Sequence, residues 1–198
     1  MRINEKNGCK QMVDNVVMNK QQIIDWLSKY NIENYVINDD LSVDVNGDVD
    51  ISCEKLTKIP VKFGSVSGGF SCSDTYLTSL KHCPTFVGEH FSCAHNNLTS
   101  LKHCPTSVGG HFSCYNNNLP SLEHCPTSVG EDFYCDGNDL VSLEHCPTSV
   151  GGVYCGGTPL QCPPNVALWL IQKGKDYFKI IKDPTEEQIM LHEMLWLI

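Results

Sequence analysis

From Phe70 the sequence reads FSCSDTYLTSLKHCPTFVGEH, and the same 21-residue pattern returns as FSCAHNNLTSLKHCPTSVGGH from Phe91, FSCYNNNLPSLEHCPTSVGED from Phe112 and FYCDGNDLVSLEHCPTSVGG from Phe133. A fixed period of this length is typical of a solenoid, in which every unit stacks on its neighbour and the units share one core. The repeat therefore predicts the architecture of most of the chain, and the remaining segments form its ends.

The repeat starts before Phe70, in a segment whose sequence is less similar to the other units. Residues 35–51 (YVINDDLSVDVNGDVDI) alternate apolar and acidic residues, which is a strand pattern. A shift of 21 residues back from Phe70 reaches Val49, and the other apolar positions of the unit also land on apolar residues. In this register Cys53 falls on the surface side. We place the solenoid over residues 35–163.

An amphipathic helix is predicted over residues 20–30, where apolar residues recur at helical spacing. Asn19 is a suitable N-cap, and Asn31 can close the helix in a left-handed conformation. We interpret residues 1–34 as a loose leader followed by a helix that caps the first coil, with a partner-binding helix as the alternative. The apolar residues of the helix are Ile23, Ile24, Trp26, Leu27 and Tyr30.

Asparagine recurs at one position of the unit, as Asn96, Asn117 and Asn138, always two residues before a leucine. Its amide can both donate and accept hydrogen bonds along stacked coils, where a tight turn after the strand leaves backbone groups unpaired. With the Phe and Cys before it, the unit reads F-x-C-x-x-N-x-L. This is similar to the leucine-rich-repeat spacing L-x-L-x-x-N-x-L with its first leucines replaced.

Residues 35–165 resemble the short leucine-rich repeats of tailed-phage and related viral or bacterial proteins. The shared wording is V-D-V-x-G-D-V-D-I, then L-T-x-I-P-V-K-F-G-x-V, then F-x-C-x-x-N-x-L-T-S-L-x-x-x-P-x-x-V-G. The resemblance implies an α+β repeat solenoid, a leucine-rich-repeat stack with short parallel strands on its concave face. It also implies a binding scaffold, and it brings no catalytic residues.

Two helices are predicted within residues 164–198, which we interpret as a C-terminal helical cap. Asn165 can start the first helix, VALWLIQK, and Gly174 can end it. Asp183 is a suitable N-cap for the second, over about 184–197. The final residues LWLI would form a hydrophobic patch if they were exposed. The alternative role of this helix is therefore contact with a second copy or another partner.

The formal net charge is −9, which argues against nucleic acid as a partner because phosphate binding needs clustered Lys and Arg. The charge favours a basic partner. Residues 1–20 lack the apolar region of a secretory signal, and the chain has no apolar run of about 18 residues that could span a membrane. We therefore expect a cytoplasmic protein, in the host cytoplasm if it is viral, with reduced thiols.

Two cysteine columns and one histidine column recur in the repeat. Stacked coils lie about 4.8 Å apart, so equivalent residues form a line and not a cluster of four converging ligands. Adjacent His and Cys point to opposite sides, so we expect the cysteines to face the core and the histidines to face solvent. We predict no metal site, no cofactor and no catalytic residue. The columns are Cys72, Cys93, Cys114, Cys135 and Cys155; Cys83, Cys104, Cys125, Cys146 and Cys162; and His82, His103, His124 and His145.

The variable positions of the repeat flank the inward Phe and Cys, and exposed Tyr, His and Asp are good contact residues. We predict a non-enzymatic protein-binding module that uses this concave face. By resemblance to phage proteins, it would bind or inhibit a host factor. The alternatives are a protein that sequesters a small signalling molecule in a pocket near the Tyr134–Tyr154 end, and a structural or assembly component. The predicted partner-binding residues are His90, His95, His111, Tyr115, Asn116, Asp132, Tyr134, Asp136 and Tyr154.

Overall fold

The computed structural model describes residues 18–141, 143–147, 149–155, 168–171 and 178–181, the last two segments as backbone only. The predicted leader, Cys162 of the second cysteine column, and the helix predicted from residue 184 onward lie outside these residues.

Within the described residues, one α-helix precedes fourteen short strands. The helix α1 spans Lys20–Lys29; the strands are β1 Tyr35–Ile37, β2 Val43–Val45, β3 Val49–Asp50, β4 Phe63–Val66, β5 Phe70–Ser71, β6 Phe86–Val87, β7 Phe91–Ser92, β8 Ser107–Val108, β9 Phe112–Ser113, β10 Ser128–Val129, β11 Asp132–Tyr134, β12 Gly152–Tyr154, β13 Leu168–Ile171 and β14 Phe178–Ile181.

The strands alternate between two sheets along the chain. Six strands form one sheet in the order β1-β2-β4-β6-β8-β10, and eight form the other in the order β13-β14-β12-β11-β9-β7-β5-β3. Successive coils pair in parallel at a spacing of 21 residues, as Phe70 pairs with Phe91 and Val87 with Val108. The chain is a solenoid of about five turns, and Val49 pairs with Phe70 as predicted for the first unit.

The sequence predicts one strand in each coil, but the structure has two. The additional strands β6, β8 and β10 are only two residues long, an outward Phe or Ser followed by a buried Val. The chain turns at the following glycine. A Cβ at Gly109 would collide with the carbonyl oxygen of Gly88 in the preceding coil, so glycine is required there for the two backbones to approach.

A column of phenylalanine rings fills the interior beneath the eight-stranded sheet. Phe70, Phe91 and Phe112 stack with ring centroids 5.6 and 5.4 Å apart and interplanar angles of 8° and 9°. Phe133 continues the column at 5.2 Å, and all four side chains are buried. The interior is therefore built from one ring repeated at the spacing of the coils.

The buried asparagines have the role that their spacing predicts. The Asn117 amide nitrogen donates to the carbonyl oxygens of Cys93 at 3.0 Å and Cys114 at 3.1 Å, in two successive coils. Its side-chain oxygen accepts from the Leu98 N–H at 3.0 Å. Asn96 and Asn138 repeat the arrangement. Each asparagine thus satisfies the buried backbone groups of a turn and joins it to its neighbour.

The helix α1 forms where it is predicted. The Asn19 side chain accepts from the Gln22 N–H at 3.0 Å, and the Gln22 side chain accepts from the Asn19 N–H at 2.9 Å, which completes a capping box. Asn31 follows in the left-handed region with φ 52°. Ile23 and Leu27 are buried in the same core as the coils. The helix therefore packs onto the solenoid core, as an end cap must.

The prediction of a helix from Asn165 to Gly174 is wrong. Leu168–Ile171 is the strand β13, which pairs with β14 in an antiparallel hairpin, and β14 pairs in turn with β12. The physical reason is the unpaired edge that a parallel sheet leaves at its last coil, because that edge favours added strands over a helix. A run of Leu, Trp and Ile also suits a strand.

Candidate functional site

The outer side of the eight-stranded sheet carries the residues predicted to bind a partner. We call this set the sheet-face site. Five of its members lie on the strands or next to them and follow one another from coil to coil in parallel register. The others lie in the turn that follows each strand. The members are His90, His95, His111, Tyr115, Asn116, Asp132, Tyr134, Asp136 and Tyr154.

Four rings of this site form a continuous column across four coils, which we call the ring column. His90 and His111 stack with centroids 4.9 Å apart and an interplanar angle of 17°. His111 meets Tyr134 edge to face at 5.7 Å, and Tyr134 stacks on Tyr154 at 4.8 Å and 17°. The structure therefore brings together side chains that lie 64 residues apart in sequence, from 90 to 154.

Hydrogen bonds fix the tautomers of the two histidines. The backbone N–H of His111 donates to Nδ1 of the His90 ring at 2.9 Å, and the backbone N–H of Asp132 donates to Nδ1 of the His111 ring at 3.1 Å. Each neutral ring accepts at Nδ1, so each Nε2 carries the hydrogen. Nε2 of His111 donates to Oε2 of Glu131 at 2.9 Å. Backbone and carboxylate together hold these rings in one orientation.

One group of side chains has the composition of a metal site. Ligand atoms of His90, His111 and Glu131 lie within 4.8 Å of one another. A metal ion needs an unprotonated ring nitrogen with a free lone pair, but each Nδ1 already accepts a backbone N–H and each Nε2 carries a hydrogen. The group therefore suits hydrogen bonding better than metal binding, and the absence of a metal site stays a prediction.

A second ring contact lies in the turn beside the ring column. The Asn116 amide donates to Nδ1 of His95 at 3.2 Å, so Nε2 of His95 carries the hydrogen that is shared with the Tyr115 hydroxyl at 2.7 Å. The His95 and Tyr115 rings meet edge to face at 4.5 Å. His95 and Asn116 both have left-handed backbones, with φ 52° and 51°. The Tyr115 hydroxyl keeps its own hydrogen for a further acceptor.

The site is strongly acidic at its C-terminal end. Burial, followed by the charge of Asp132 and the neighbouring Tyr154, raises the pKa of Tyr134 above its ordinary value. Residues 112–155 contain six carboxylates and no Lys or Arg. The carboxylates are Glu123, Glu131, Asp132, Asp136, Asp139 and Glu144.

Two details of the site differ from the sequence interpretation. Glu131 was not expected in it, although the change from Val-Gly-Gly-His to Val-Gly-Glu-Asp just before β11 is a signal that could have identified it. Ala94 occupies the same position of the repeat as Tyr115 and Asp136, which the sequence places on the outer side, but the Ala94 side chain is buried. Both differences arise where the strand meets the turn, because side-chain alternation stops there.

The described members of both cysteine columns pack against the core, as predicted, although Cys125 and Cys146 are only partly buried. The first column is fully buried, and Cys83 and Cys104 of the second are buried as well. Burial raises the pKa of the Cys93 and Cys114 thiols well above the ordinary value and raises the pKa of Cys125 to about 12. These thiols therefore contain little of the reactive thiolate at neutral pH. Cys53 is exposed as predicted, and no described cysteine forms a disulfide.

No family model, no curated protein and no solved structure matches this chain. Among the described residues, no helix has the length and apolar character that crossing a membrane would require. The geometry of the sheet-face site is therefore the basis on which a function can be proposed.

Proposed function

We propose that this protein is a non-enzymatic binding module that recognises another protein through its sheet-face site. The observation that carries the proposal is the ring column, which continues across four coils on the side of the sheet that the core does not use. Tyr and His rings provide large contact areas with few rotatable bonds, so little conformational entropy is lost when a partner binds.

The hydrogen bonds of the site support the same role. The rings of His90 and His111 are held by backbone N–H groups of the next coil, and Tyr115 is held by His95. Side chains that are already ordered in the free protein reduce the entropic cost of association. A merely solvated surface has no need of this order.

The charge around the site favours a basic partner. Residues 112–155, which include Tyr134 and Tyr154, contain only acidic charges. A basic surface would be attracted over a distance of about 10 Å at ordinary ionic strength, and this attraction accelerates association. The same charge disfavours nucleic acid as the partner.

We also assign the chain to the short leucine-rich-repeat proteins of phage, viral and bacterial type. The F-x-C-x-x-N-x-L spacing and the buried asparagine column support the assignment. In that family the outer side of the eight-stranded sheet would be the concave face, and the partner would be a host factor that the protein binds or inhibits in the cytoplasm.

The small-molecule alternative predicts a pocket near Tyr134 and Tyr154. An open cavity of about 280 Å³ does occur, but it lies on the six-stranded sheet between Val36 and Phe86. The residues that line this cavity belong to the first coils and include no member of the ring column. The structural or assembly role has no specific support from the site.

The test is an affinity capture from candidate host lysate with the purified chain as bait. A bait with Tyr115→Ala, Tyr134→Ala and Asp136→Ala should lose the partner, because it loses both rings and a carboxylate. A matched bait with Ser107→Ala and Ser128→Ala, on the outer side of the other sheet, should retain it. If every captured protein also binds the triple variant, the sheet-face site is not the binding surface.

A further inference from the structure

The third side of each coil runs from the asparagine turn to the six-stranded sheet, and one position on it is charged in each of the four coils between Phe70 and Cys155. The last of these coils carries a further carboxylate on this side, Asp139. Along the solenoid the signs at the shared position run positive, positive, negative, negative. All four side chains are exposed. We call this set the charge stripe, and its members are Lys81, Lys102, Glu123 and Glu144.

The backbone presents these residues in the same way in each coil. The N–H groups of Lys81, Lys102 and Glu123 each donate to the serine hydroxyl two residues earlier, at 3.2, 3.1 and 3.4 Å. The histidine that follows each member of the stripe has a left-handed backbone in all four coils, with φ between 66° and 77°. Equivalent turns direct the four side chains to the same side.

The coils stay in register on both flanks of the stripe. On one flank the Asn118 N–H donates to the Leu98 carbonyl oxygen at 2.9 Å. On the other flank the Cys104 thiol donates to the His124 carbonyl oxygen at 2.9 Å. Coils stack about 4.8 Å apart, so the stripe extends over about 14 Å.

This order of charges is self-complementary under a two-fold rotation. If a second stripe lies antiparallel on the first, Lys81 faces Glu144 of the other copy, and Lys102 faces Glu123. Each pair occurs twice, so four ion pairs form. A parallel arrangement would place like charges opposite each other. An isologous interface requires this kind of self-complementary surface.

The exposed apolar residues of the same side fit the same arrangement. Tyr76 lies in the first coil of the stripe and is 53% exposed, and Val141 lies in the last coil and is 60% exposed. Their positions in the repeat are two residues apart, in neighbouring columns. The antiparallel arrangement brings Tyr76 of one copy beside Val141 of the other, which removes both from water.

We infer that the charge stripe is the interface of an antiparallel two-fold dimer, formed with a second copy of this chain. Lys81 and Lys102 make no ion pair within the described part of the chain. Glu123 and Glu144 lie 3.6 and 3.8 Å from Nε2 of the histidine that follows each of them, and this ring is charged only when it is protonated. Exposed ion pairs are individually weak and are screened by salt. The dimer is therefore concentration-dependent and dissociates at high ionic strength, and its formation leaves the sheet-face site uncovered.

Charge reversal tests the inference by sedimentation velocity at low and high salt. Variant one carries Lys81→Glu and Lys102→Glu, variant two carries Glu123→Lys and Glu144→Lys, and the full swap carries all four changes. The first two have stripes of a single sign, whereas the full swap is again self-complementary. Because the four residues are exposed, thermal unfolding should confirm that all three variants fold.

The wild type and the full swap should dimerise at low salt, and each of the first two variants should be monomeric alone. An equimolar mixture of those two variants should form a heterodimer, since one stripe is acidic and the other basic. A wild type that stays monomeric at low salt overturns the inference. So does a first or second variant that still dimerises like the wild type, a full swap that stays monomeric, or a mixture that does not associate.

Discussion

The inner and outer sides of the eight-stranded sheet differ in how far their side chains vary from coil to coil. On the inner side Phe70, Phe91, Phe112 and Phe133 repeat one ring at one depth. On the outer side the equivalent strand position changes from serine in β5, β7 and β9 to tyrosine in β11 and β12. Each buried ring packs on its own equivalents, so a change in one coil leaves a void against two others. An outer side chain has solvent as an alternative neighbour.

The largest effect is expected on the inner side of β11, from Phe133→Ala. Truncation of a buried Phe costs about 3–5 kcal/mol of unfolding free energy, through lost transfer energy and the cavity left against Phe112. Chemical denaturation measures this loss. Phe133→Leu is the matched control and should cost less, because it refills most of the volume. A loss below about 1 kcal/mol for Phe133→Ala would show that the column does not depend on close packing.

The second-largest effect is expected for Asn117→Ala. The change leaves the buried Leu98 N–H without its partner. It also removes one of the two amides that donate to the Cys93 carbonyl oxygen, which keeps the bond from Asn96. One buried group without a partner costs about 1–3 kcal/mol, so we expect a loss of about 2 kcal/mol or more. The neighbouring Asn118 has an exposed side chain, and Asn118→Ala should change stability by no more than about 0.5 kcal/mol. If the two variants lose the same unfolding free energy, the buried asparagine column has no specific role in stability.

The sequence predicts the inner side well because each buried side chain packs on its equivalents, so the same residue types recur in every coil. Asn117, Cys93 and the capping residue Asn19 were all identified from their spacing or type. The second sheet was not predicted, since a two-residue strand such as Ser107–Val108 is too short for its alternation to be recognised. The C-terminal hairpin was missed for another reason. Its pairing depends on the free edge of β12, which no local pattern encodes.

The repeat also predicts which residues belong to the sheet-face site, but it does not predict all of their contacts. Its residues were found because they vary within a repeat whose other positions do not, and the parallel register then fixes which of them meet. The bond from Nε2 of His111 to Glu131 was not predicted. It joins the residue that precedes β9 in one coil to a turn residue of the next coil. The path of that turn depends on how closely the glycines allow the coils to approach.

A smaller loss of unfolding free energy is expected when the pH is lowered, because two aspartates at the six-stranded sheet become protonated. Hydrogen bonds from Asn38 and Ser65 lower the pKa of Asp44 below its ordinary value of 3.8, and Lys62 and Ser42 lower the pKa of Asp40. A carboxyl with a lower pKa in the folded state stabilises the fold fully above the unfolded pKa, and this contribution is lost as pH falls through the folded pKa. The unfolding free energy should therefore decline below about pH 4.

Variants of two neighbouring aspartates separate this contribution from general acid sensitivity. Asp44→Asn removes the charge that Asn38 and Ser65 stabilise, so its stability should fall less steeply below about pH 4 than that of the wild type. The exposed Asp39→Asn should keep the slope of the wild type. Identical slopes for wild type and Asp44→Asn would mean that the hydrogen bonds do not favour the charged carboxylate.

The smallest effect on stability is expected for Tyr134→Ala, next to Phe133 on the same strand but on the outer side. Its ring is only partly buried, and it contacts His111 and Tyr154 across neighbouring strands. Such cross-strand pairs contribute about 0.2–1 kcal/mol, so the loss should stay below about 1 kcal/mol in the same denaturation experiment. Ser113→Ala, at the paired position of the neighbouring strand β9, is the control and should have almost no effect. If Tyr134→Ala instead costs as much as Phe133→Ala, the ring column stabilises the fold, and its rings need no partner to account for them.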